Sequence, residues 1–289
     1  MKTTFESYEL EEGKCIFCND ASYKVLHEFR PFRVVRCNRC GLAFLTPRLK
    51  EQLIFSLYDS DDYFSEYSGE GTGYELQKDS LFRTFQRLVR ILLRRKLLYR
   101  GSRVLEVGCG PGLFLKAVRP YVSYSVGVDL SQVAREEASV YCDVTYSSID
   151  DVPCTEYFDC VVGLNLIEHI YDPVPFLKEL GSRLIGGGTI LLGTPLFDGF
   201  WYKFLRRNWP LFKPPEHVYF YSPVTLGRLL KQSKCFSNIE TFSILHAFPM
   251  SVVLRKLGIG IPSTKSAPLN RINLWLPGVF LCAVANRER

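Results

Sequence analysis

Two cysteine pairs stand near the start of the chain, Cys15-Ile16-Phe17-Cys18 and Cys37-Asn38-Arg39-Cys40-Gly41. A Cys-x2-Cys pair lets two thiolates reach one ion from a tight turn, and two such pairs complete a tetrahedral S4 shell, the geometry Zn2+ prefers. A closed shell leaves no position for a substrate. Cys15, Cys18, Cys37 and Cys40 are therefore expected to hold a structural zinc ion, with Arg33, Arg36 and Arg39 offsetting the negative charge of the cluster. A redox dithiol fits less well, because two pairs stand at ribbon spacing. A nucleic-acid-binding ribbon would need more exposed basic and aromatic groups than Phe32, Arg33, Arg36 and Arg39 supply.

The second constellation is Val104-Leu105-Glu106-Val107-Gly108-Cys109-Gly110-Pro111-Gly112, which reads as a strand running into a helix. Glycines there let the backbone come close to a ligand, and the start of a helix presents unspent N–H groups. Asp129 ends the next strand, where a carboxylate binds ribose hydroxyls. The spacing is Gly-x-Gly-x-Gly, and the dinucleotide fingerprint would want glycine where Leu113 stands. Glu106, at the top of the strand, suits a ligand with an ammonium group and opposes a pyrophosphate. S-adenosylmethionine carries an ammonium and a sulfonium and no phosphate, so electrostatics favour it over a nicotinamide dinucleotide and an oxidoreductase.

These groups need a scaffold. The chain has 289 residues, 47% of them hydrophobic, enough for a sizeable core in one large or two smaller domains. Average glycine and proline usage argues against a disordered or low-complexity chain. The net charge of +6 permits an anionic partner without requiring one. The longest apolar run, Ile272 to Ala285, is interrupted by Asn273 and Pro277 and is too short for a membrane span. The polar start, Met1 to Ser7, is not a secretory signal. A cytoplasmic protein is expected, with Cys109, Cys142, Cys154, Cys160, Cys235 and Cys282 as small buried thiols.

Residues 1–50 lack long periodic segments and are expected to be the zinc-binding ribbon; 51–100 read as a helical linker, broken by an acidic, aromatic and glycine-rich stretch from Asp59 to Tyr74. Within 101–289, strands are expected at Arg103–Val107, Tyr124–Asp129, Asp143–Tyr146 and Phe158–Leu164, with helices between them. That alternation implies right-handed βαβ units and a parallel sheet covered on both faces. A helix from Pro173 to Leu184 precedes a strand Thr189–Gly193. An insertion over the sheet, 194–221, serves as a lid, and Ser222-Pro223 opens another helix. Ile239–Ala247 and Val279–Asn286 are expected to pair antiparallel at the sheet edge.

Residues 101–195 resemble a class I S-adenosylmethionine-dependent methyltransferase of the ubiquinone-methyltransferase-like branch. Glu106 to Gly112 resembles its first motif and Gly127-Val128-Asp129-Leu130-Ser131 its ribose-binding acidic end. Phe158-Asp159-Cys160-Val161-Val162 with Glu168-His169-Ile170-Tyr171-Asp172-Pro173 is similar to its fourth strand and following turn. The resemblance implies an α/β, Rossmann-like sheet of seven strands, the last antiparallel. It implies that Gly108, Cys109, Gly110 and Gly112 line the cofactor, with Glu106 at its methionine amino end, Asp129 on the ribose and Leu130 beside the adenine. The loop Ser147-Ser148-Ile149-Asp150 would border the adenine, and Asn165 would face the methionine portion through its backbone. Glu168 and His169 would hold a helix start and lid.

A cysteine ribbon ahead of such a core is similar to enzymes of sugar-nucleotide and polysaccharide pathways, although the sugar C-methyltransferases among them carry a further C-terminal domain. Glu216-His217, in the lid, resembles the Glu-His pair assigned to proton abstraction there, and His accepts protons near neutral pH. His217 is thus the candidate base, with packing under the lid as its bland alternative. Trp201, Tyr202, Phe204, Trp209 and Phe212 offer faces for a base or pyranose ring, and Lys203, Arg206, Arg207 and Lys213 offer cations for a diphosphate. The same residues suit peripheral contact with an anionic membrane. Arg83, Arg87, Arg90 and Arg94 read as a solvated face of one amphipathic helix. The expectation is methyl transfer to a sugar, nucleotide-sugar or lipid-linked glycan precursor, the alternative being a quinone or other small molecule.

Overall fold

The computed structural model describes residues 9–19, 22–58, 74–256 and 268–288, apart from the side chains of 55–58, 74–76 and 255–256. The stretch expected to break the helical linker, from 59 onward, lies outside the described residues up to 73, as does the polar N-terminus up to 8.

The N-terminal module is built from β1 (Leu10–Glu11), β2 (Tyr23–Phe29), β3 (Phe32–Cys37), β4 (Ala43–Leu45) and β5 (Arg48–Leu49). β2, β3 and β4 form an antiparallel meander, and β1 pairs with β5. Helices α1 (Glu51–Tyr58) and α2 (Tyr74–Arg94) follow. On α2, Leu88, Val89 and Leu92 are fully buried while Arg83, Arg87, Arg90 and Arg94 are exposed, so the basic stripe is the solvated face of an amphipathic helix.

The core then runs β6 (Ser102–Val107), α3 (Leu113–Val118), β7 (Val122–Val128), α4 (Gln132–Ala138), β8 (Val144–Tyr146), β9 (Phe158–Leu164), α5 (Pro173–Ser182) and β10 (Leu184–Pro195). After it come α6 (Phe200–Leu205), β11 (Tyr219–Phe220), α7 (Pro223–Ser233), β12 (Phe236–Pro249), α8 (Met250–Lys256) and β13 (Asn273–Arg287). Seven strands lie in the order β12-β13-β10-β9-β6-β7-β8. β6 to β10 are parallel, and β13 inserts antiparallel between β10 and β12, as expected.

The period of two explains the burial on both faces. Val104, Cys160, Val162, Leu191 and Cys282 face α2 and α3, whereas Leu105, Val161, Ile190, Leu192 and Leu281 face α5 and α7. Helix starts are set by local chemistry. Ser131 accepts from the Ala134 amide to cap α4, and Ser222 with Thr225 forms a reciprocal capping box on α7, whose first residue is Pro223.

Four expectations need correction. β10 starts at Leu184, not Thr189, because Leu184 pairs with Phe158 before a register shift that the glycines 186–188 accommodate. β13 begins at Asn273, ahead of Pro277; there it pairs with the outer end of the edge strand β12. Cys154 is exposed and Cys235 half-buried, so they are not buried thiols. Segment 194–221 is more than a lid, since it contributes β11, which pairs with β4 and extends the cysteine module's sheet to four strands.

Candidate active site

β6 is flanked by β7 on one side and β9 on the other, so the chain turns in opposite directions from neighbouring strand ends. At such a switch point the strands' C-terminal ends open a crevice. The glycine loop fills the first of these ends. Gly108, Gly110 and Gly112 all have positive φ (70°, 49° and 76°), a conformation only glycine adopts without strain.

The loop's amides point inward. Gly108 and Cys109 both donate to the Val128 carbonyl (2.8 and 3.0 Å), Gly112 donates to Cys109 (3.0 Å), and Gly110 donates to Asp129 Oδ2 (2.7 Å). The amides of residues 108, 109, 110 and 112 are thus engaged within the protein. The loop supplies shape, and charge comes from elsewhere. Gly110 has open space where a Cβ would stand, so a ligand can approach its backbone.

Glu106 supplies that charge. It is 2% exposed and its Oε2 has no hydrogen-bond partner. Burial, reinforced by the charge of Asp129, pushes its carboxyl well above the ordinary range, against a weaker pull from the Leu115 amide. An unpaired buried carboxylate is costly unless a cation meets it. The ammonium of S-adenosylmethionine is such a cation, so the residues present fit that cofactor. Asp129 is also raised by burial, offset by the Gly110 and Ser131 amides and by Arg135. Its Oδ1 takes the Ser131 amide at 3.0 Å, and a carboxylate with two amide donors keeps lone pairs for ribose hydroxyls. Leu130 is 48% exposed beside it, and Ile149 is buried in the short turn Ile149–Asp151. The Cys109 thiol is pushed far up by burial and then by Glu106, and its side chain packs with Leu115, Ala138 and Cys142.

Asn165 follows β9 with φ 51° and donates its amide to the Gly193 carbonyl at 2.7 Å. Leu166 follows, and its side chain lies so near Gly108 that a Cβ there would stand 3.1 Å from it. That contact had no signal in the sequence. Two residues on, Glu168 accepts through its backbone carbonyl from the amides of Val218 and Tyr219 (2.9 and 3.1 Å). Thus the turn after β9 holds the segment that leads from the second Glu-His pair into β11.

Glu168, His169 and His217 come together, with one donor-type atom from each within 4.8 Å of the others. The two imidazoles meet edge to face at 4.7 Å between centroids. Burial raises the Glu168 carboxyl to about 7, while its own amide, the Thr194 hydroxyl and the Lys213 charge pull the other way. Burial, then Lys213, lowers His169 to about 3. His217 is 4% exposed; burial, then His169 and Lys213, hold it well below its usual value, and its Nδ1 lies 3.0 Å from the Leu211 carbonyl. Glu216 is buried beside it. Nearly fifty residues separate 168 and 169 from 217, so no sequence pattern announces their grouping, although the Glu-His dipeptide stands at both places.

Of the aromatic residues expected to stack on a ligand, Tyr202 and Trp209 are buried. They pack with Phe197, Phe212 and each other, and His27 of β2 lies against Tyr202 and Phe212. Their faces are spent between the cysteine module and segment 194–221. Phe204 remains exposed, as do Lys203, Arg206, Arg207 and Lys213.

The four cysteine sulfurs lie within 4.8 Å of one another, Cys15 and Cys40 at 3.3 Å. Gly41 takes φ 78° and its amide returns to the Cys37 carbonyl at 3.0 Å, the tight turn expected after the second pair. Sulfurs so close fit a single tetrahedral ion with bonds of about 2.3 Å. Among the described residues no helix is long and apolar enough to cross a membrane.

Comparison with known proteins agrees with this geometry. A family model described as Methyltransferase domain matches residues 78–235. The ubiquinone biosynthesis O-methyltransferase of Bradyrhizobium diazoefficiens is 30% identical over 142 residues, 47% of this chain and 51% of that protein. The enzyme of the same name from Xanthomonas campestris is 35% identical over 103 residues, 32% of this chain and 43% of that protein. The chain therefore spans about half the length of these relatives. Among solved structures, magnesium protoporphyrin IX methyltransferase from Synechocystis with bound S-adenosylhomocysteine superposes with a TM-score of 0.54 at 16% identity, covering 83% of this chain and all of that one. An S-adenosylmethionine-dependent methyltransferase from Thermotoga maritima gives 0.53 at 18% identity, covering 81% and 99%. These likenesses show the fold. With more than half the chain inside the family model, the protein belongs to the Methyltransferase domain family and has the fold of the class I S-adenosylmethionine-dependent methyltransferases.

Proposed function

We propose that the protein methylates a hydroxyl of a small-molecule acceptor of the phenol or quinol type. Glu106 would hold the methionine ammonium and Asp129 the ribose, with Leu130 and Ile149 at the adenine. The acceptor oxygen forms the new O–CH3 bond as the S–CH3 bond breaks, in line, and S-adenosylhomocysteine leaves. Alignment of the oxygen supplies most of the acceleration. The hydroxyl proton is handled by the buried group at the far end of the β9 turn. In its simplest form His217, with Glu216 beside it, takes that proton, which requires a free imidazole lone pair.

One observation carries the choice of acceptor. Tyr202 and Trp209, the rings available to stack on a sugar or base, are buried in packing, and the aromatic ring beside His217 is the apolar Phe220 at 6.3 Å between centroids. The names of the relatives agree with it. The expected sugar or nucleotide-sugar acceptor stands as the second reading, supported by the exposed Phe204, Lys203, Arg206 and Arg207. We also propose that Cys15, Cys18, Cys37 and Cys40 hold a structural zinc ion that sustains the module 1–50.

Labelled methyl transfer from S-adenosylmethionine into a panel of catechols, quinols and nucleotide-sugars decides the matter. Label is expected in the phenolic arm. Label confined to nucleotide-sugars would replace this reading with the second one. His217→Ala is expected to lower kcat by about 100-fold or more while cofactor affinity stays unchanged.

A further inference from the structure

We propose that Arg183 is a positioning residue for the base of the cofactor: it fixes the turn after β8 and so sets how sharply adenine is told from another purine. The proposal rests on the reading that places Ile149 at the adenine.

Arg183 caps the C-terminal end of α5, and its main chain is anchored there. Its amide donates to the Leu180 carbonyl at 3.2 Å, and its carbonyl accepts at 2.9 Å from the amide of Phe158, the first residue of β9. The half-buried side chain crosses to a different segment. Nη1 donates to the carbonyls of Val152 and Pro153 (2.8 and 3.3 Å), and Nη2 donates to the carbonyl of Ile149 at 2.9 Å. One guanidinium thus gathers three carbonyls from the stretch 149–153.

That stretch is a single short turn, Ile149–Asp151, with its exit. Its start is closed locally: the Ser148 hydroxyl accepts from the Asp150 amide at 3.2 Å, and the Asp151 carboxylate accepts from the Ser148 amide at 3.0 Å. At its far end the Val152 amide donates to the Ile149 carbonyl at 3.2 Å, the same oxygen that takes the second guanidinium nitrogen. The last carbonyls of a helical turn lack partners within it and carry partial negative charge, which a planar fork of charged donors matches. Adenine offers a donor at its amino group and an acceptor at N1, and the base of inosine offers the reverse pair. A turn that reads this difference must hold its own polar groups still, because a displacement of about 1 Å is enough to lose a directed contact. Among the bonds that hold this turn, those from Arg183 tie it to α5 and to the start of β9, and so to the parallel sheet.

The test is calorimetry of the full chain with S-adenosylhomocysteine and with S-inosylhomocysteine, which differs only in the base. The native chain is expected to prefer the adenine ligand by about 100-fold. Arg183→Met is expected to weaken the adenine ligand by about 10-fold and leave the inosine ligand nearly unchanged, so the preference narrows by the same factor. Arg183→Lys keeps the charge but not the fork, and is expected to lie between the two. Equal weakening of both ligands means lost stability alone and overturns the proposal. So does a native chain that binds both alike. So does a native preference in Arg183→Met, or in Arg183→Lys if the methionine variant does not fold. Ile149→Ala separates this proposal from the reading beneath it. Weakened binding in Ile149→Ala beside a native preference in Arg183→Met sinks the role of Arg183 alone. Native affinity in both variants sinks the placement of the turn at the adenine, and the proposal with it.

Discussion

The amide of Leu45, the last residue of β4, donates to the carbonyl of Val218, the residue after His217, over 2.9 Å. Through this bond and the β4–β11 pairing of Tyr219 with Phe44 and Phe220 with Ala43, the sheet of the cysteine module adjoins the turn that carries the second Glu-His pair. Arg36 with Asp198 at 2.5 Å, and the Tyr171 hydroxyl on the Leu49 carbonyl at 2.7 Å, tie the same two regions.

Breaking the S4 shell should therefore be felt at the acceptor end. Cys37→Ser is expected to lower the metal count by one and reduce hydrogen-exchange protection at Val218 and Tyr219. A loss of about 3 kcal/mol would lower Tm by roughly 6–12 °C for a chain of this size. Metal analysis and exchange at these amides check it; an unchanged metal count removes zinc from these residues.

Asp129→Ala is expected to weaken cofactor binding by roughly 10- to 100-fold, the value of charge-assisted hydrogen bonds worth about 1.5–3 kcal/mol. Some of that loss is indirect, since Asp129 also accepts from the Gly110 and Ser131 amides and so shapes the loop. Asp129→Asn should recover part of it. Calorimetry with S-adenosylhomocysteine measures both, and native affinity in the alanine variant would end the ribose role.

Cofactor affinity should depend on pH through Glu106. In the free protein, burial and then the Asp129 charge keep this carboxyl protonated to unusually high pH. The cofactor's ammonium favours the ionised form, so below the raised pKa binding must expel a proton. Affinity then climbs as pH rises through that pKa and levels off above it. The same sign applies to folding: a carboxyl raised by burial gives stability at low pH that is lost as pH rises through the folded-state pKa. Glu106→Gln is expected to flatten the affinity profile, bind the cofactor more weakly, and be less sensitive to rising pH in its unfolding. A flat profile in the native protein would contradict the ammonium contact.

Two glycines of one loop should respond differently to the same substitution. Gly112→Ala places a Cβ 2.9 Å from the Ala138 backbone at φ 76°, which is expected to cost about 3 kcal/mol of stability. Gly110→Ala meets no atom within 4 Å, so only its positive φ is penalised, by about 1–2 kcal/mol. Its larger effect should be on cofactor affinity, as the methyl group projects where the ligand approaches. Denaturant melts beside calorimetry separate the two; equal stability losses would refute the difference in packing.

Much of this architecture was readable from the chain because its signals are local. Phe158–Leu164 has the predicted bounds, and the loop from Glu106 to Gly112 carries its geometry in its glycines. What escaped depends on partners remote in sequence. β11 is two residues long and exists because β4 offers it an edge. The burial of Tyr202 and Trp209 follows from the docking of β2 and β3, which no pattern within 194–221 announces. The Glu168–His169–His217 cluster likewise depends on a carbonyl of one turn capturing two amides of another.

Donor and acceptor machinery hang on the short stretch from Asn165 to His169. Leu166 leans on the glycine loop, and Glu168 reaches the histidine cluster two positions later. Under the proposed function, the spacing between sulfonium and nucleophile is set by this connector of fixed length. Variation of the cover across descendants of this chain could then change which molecules enter without retuning the distance over which the carbon travels.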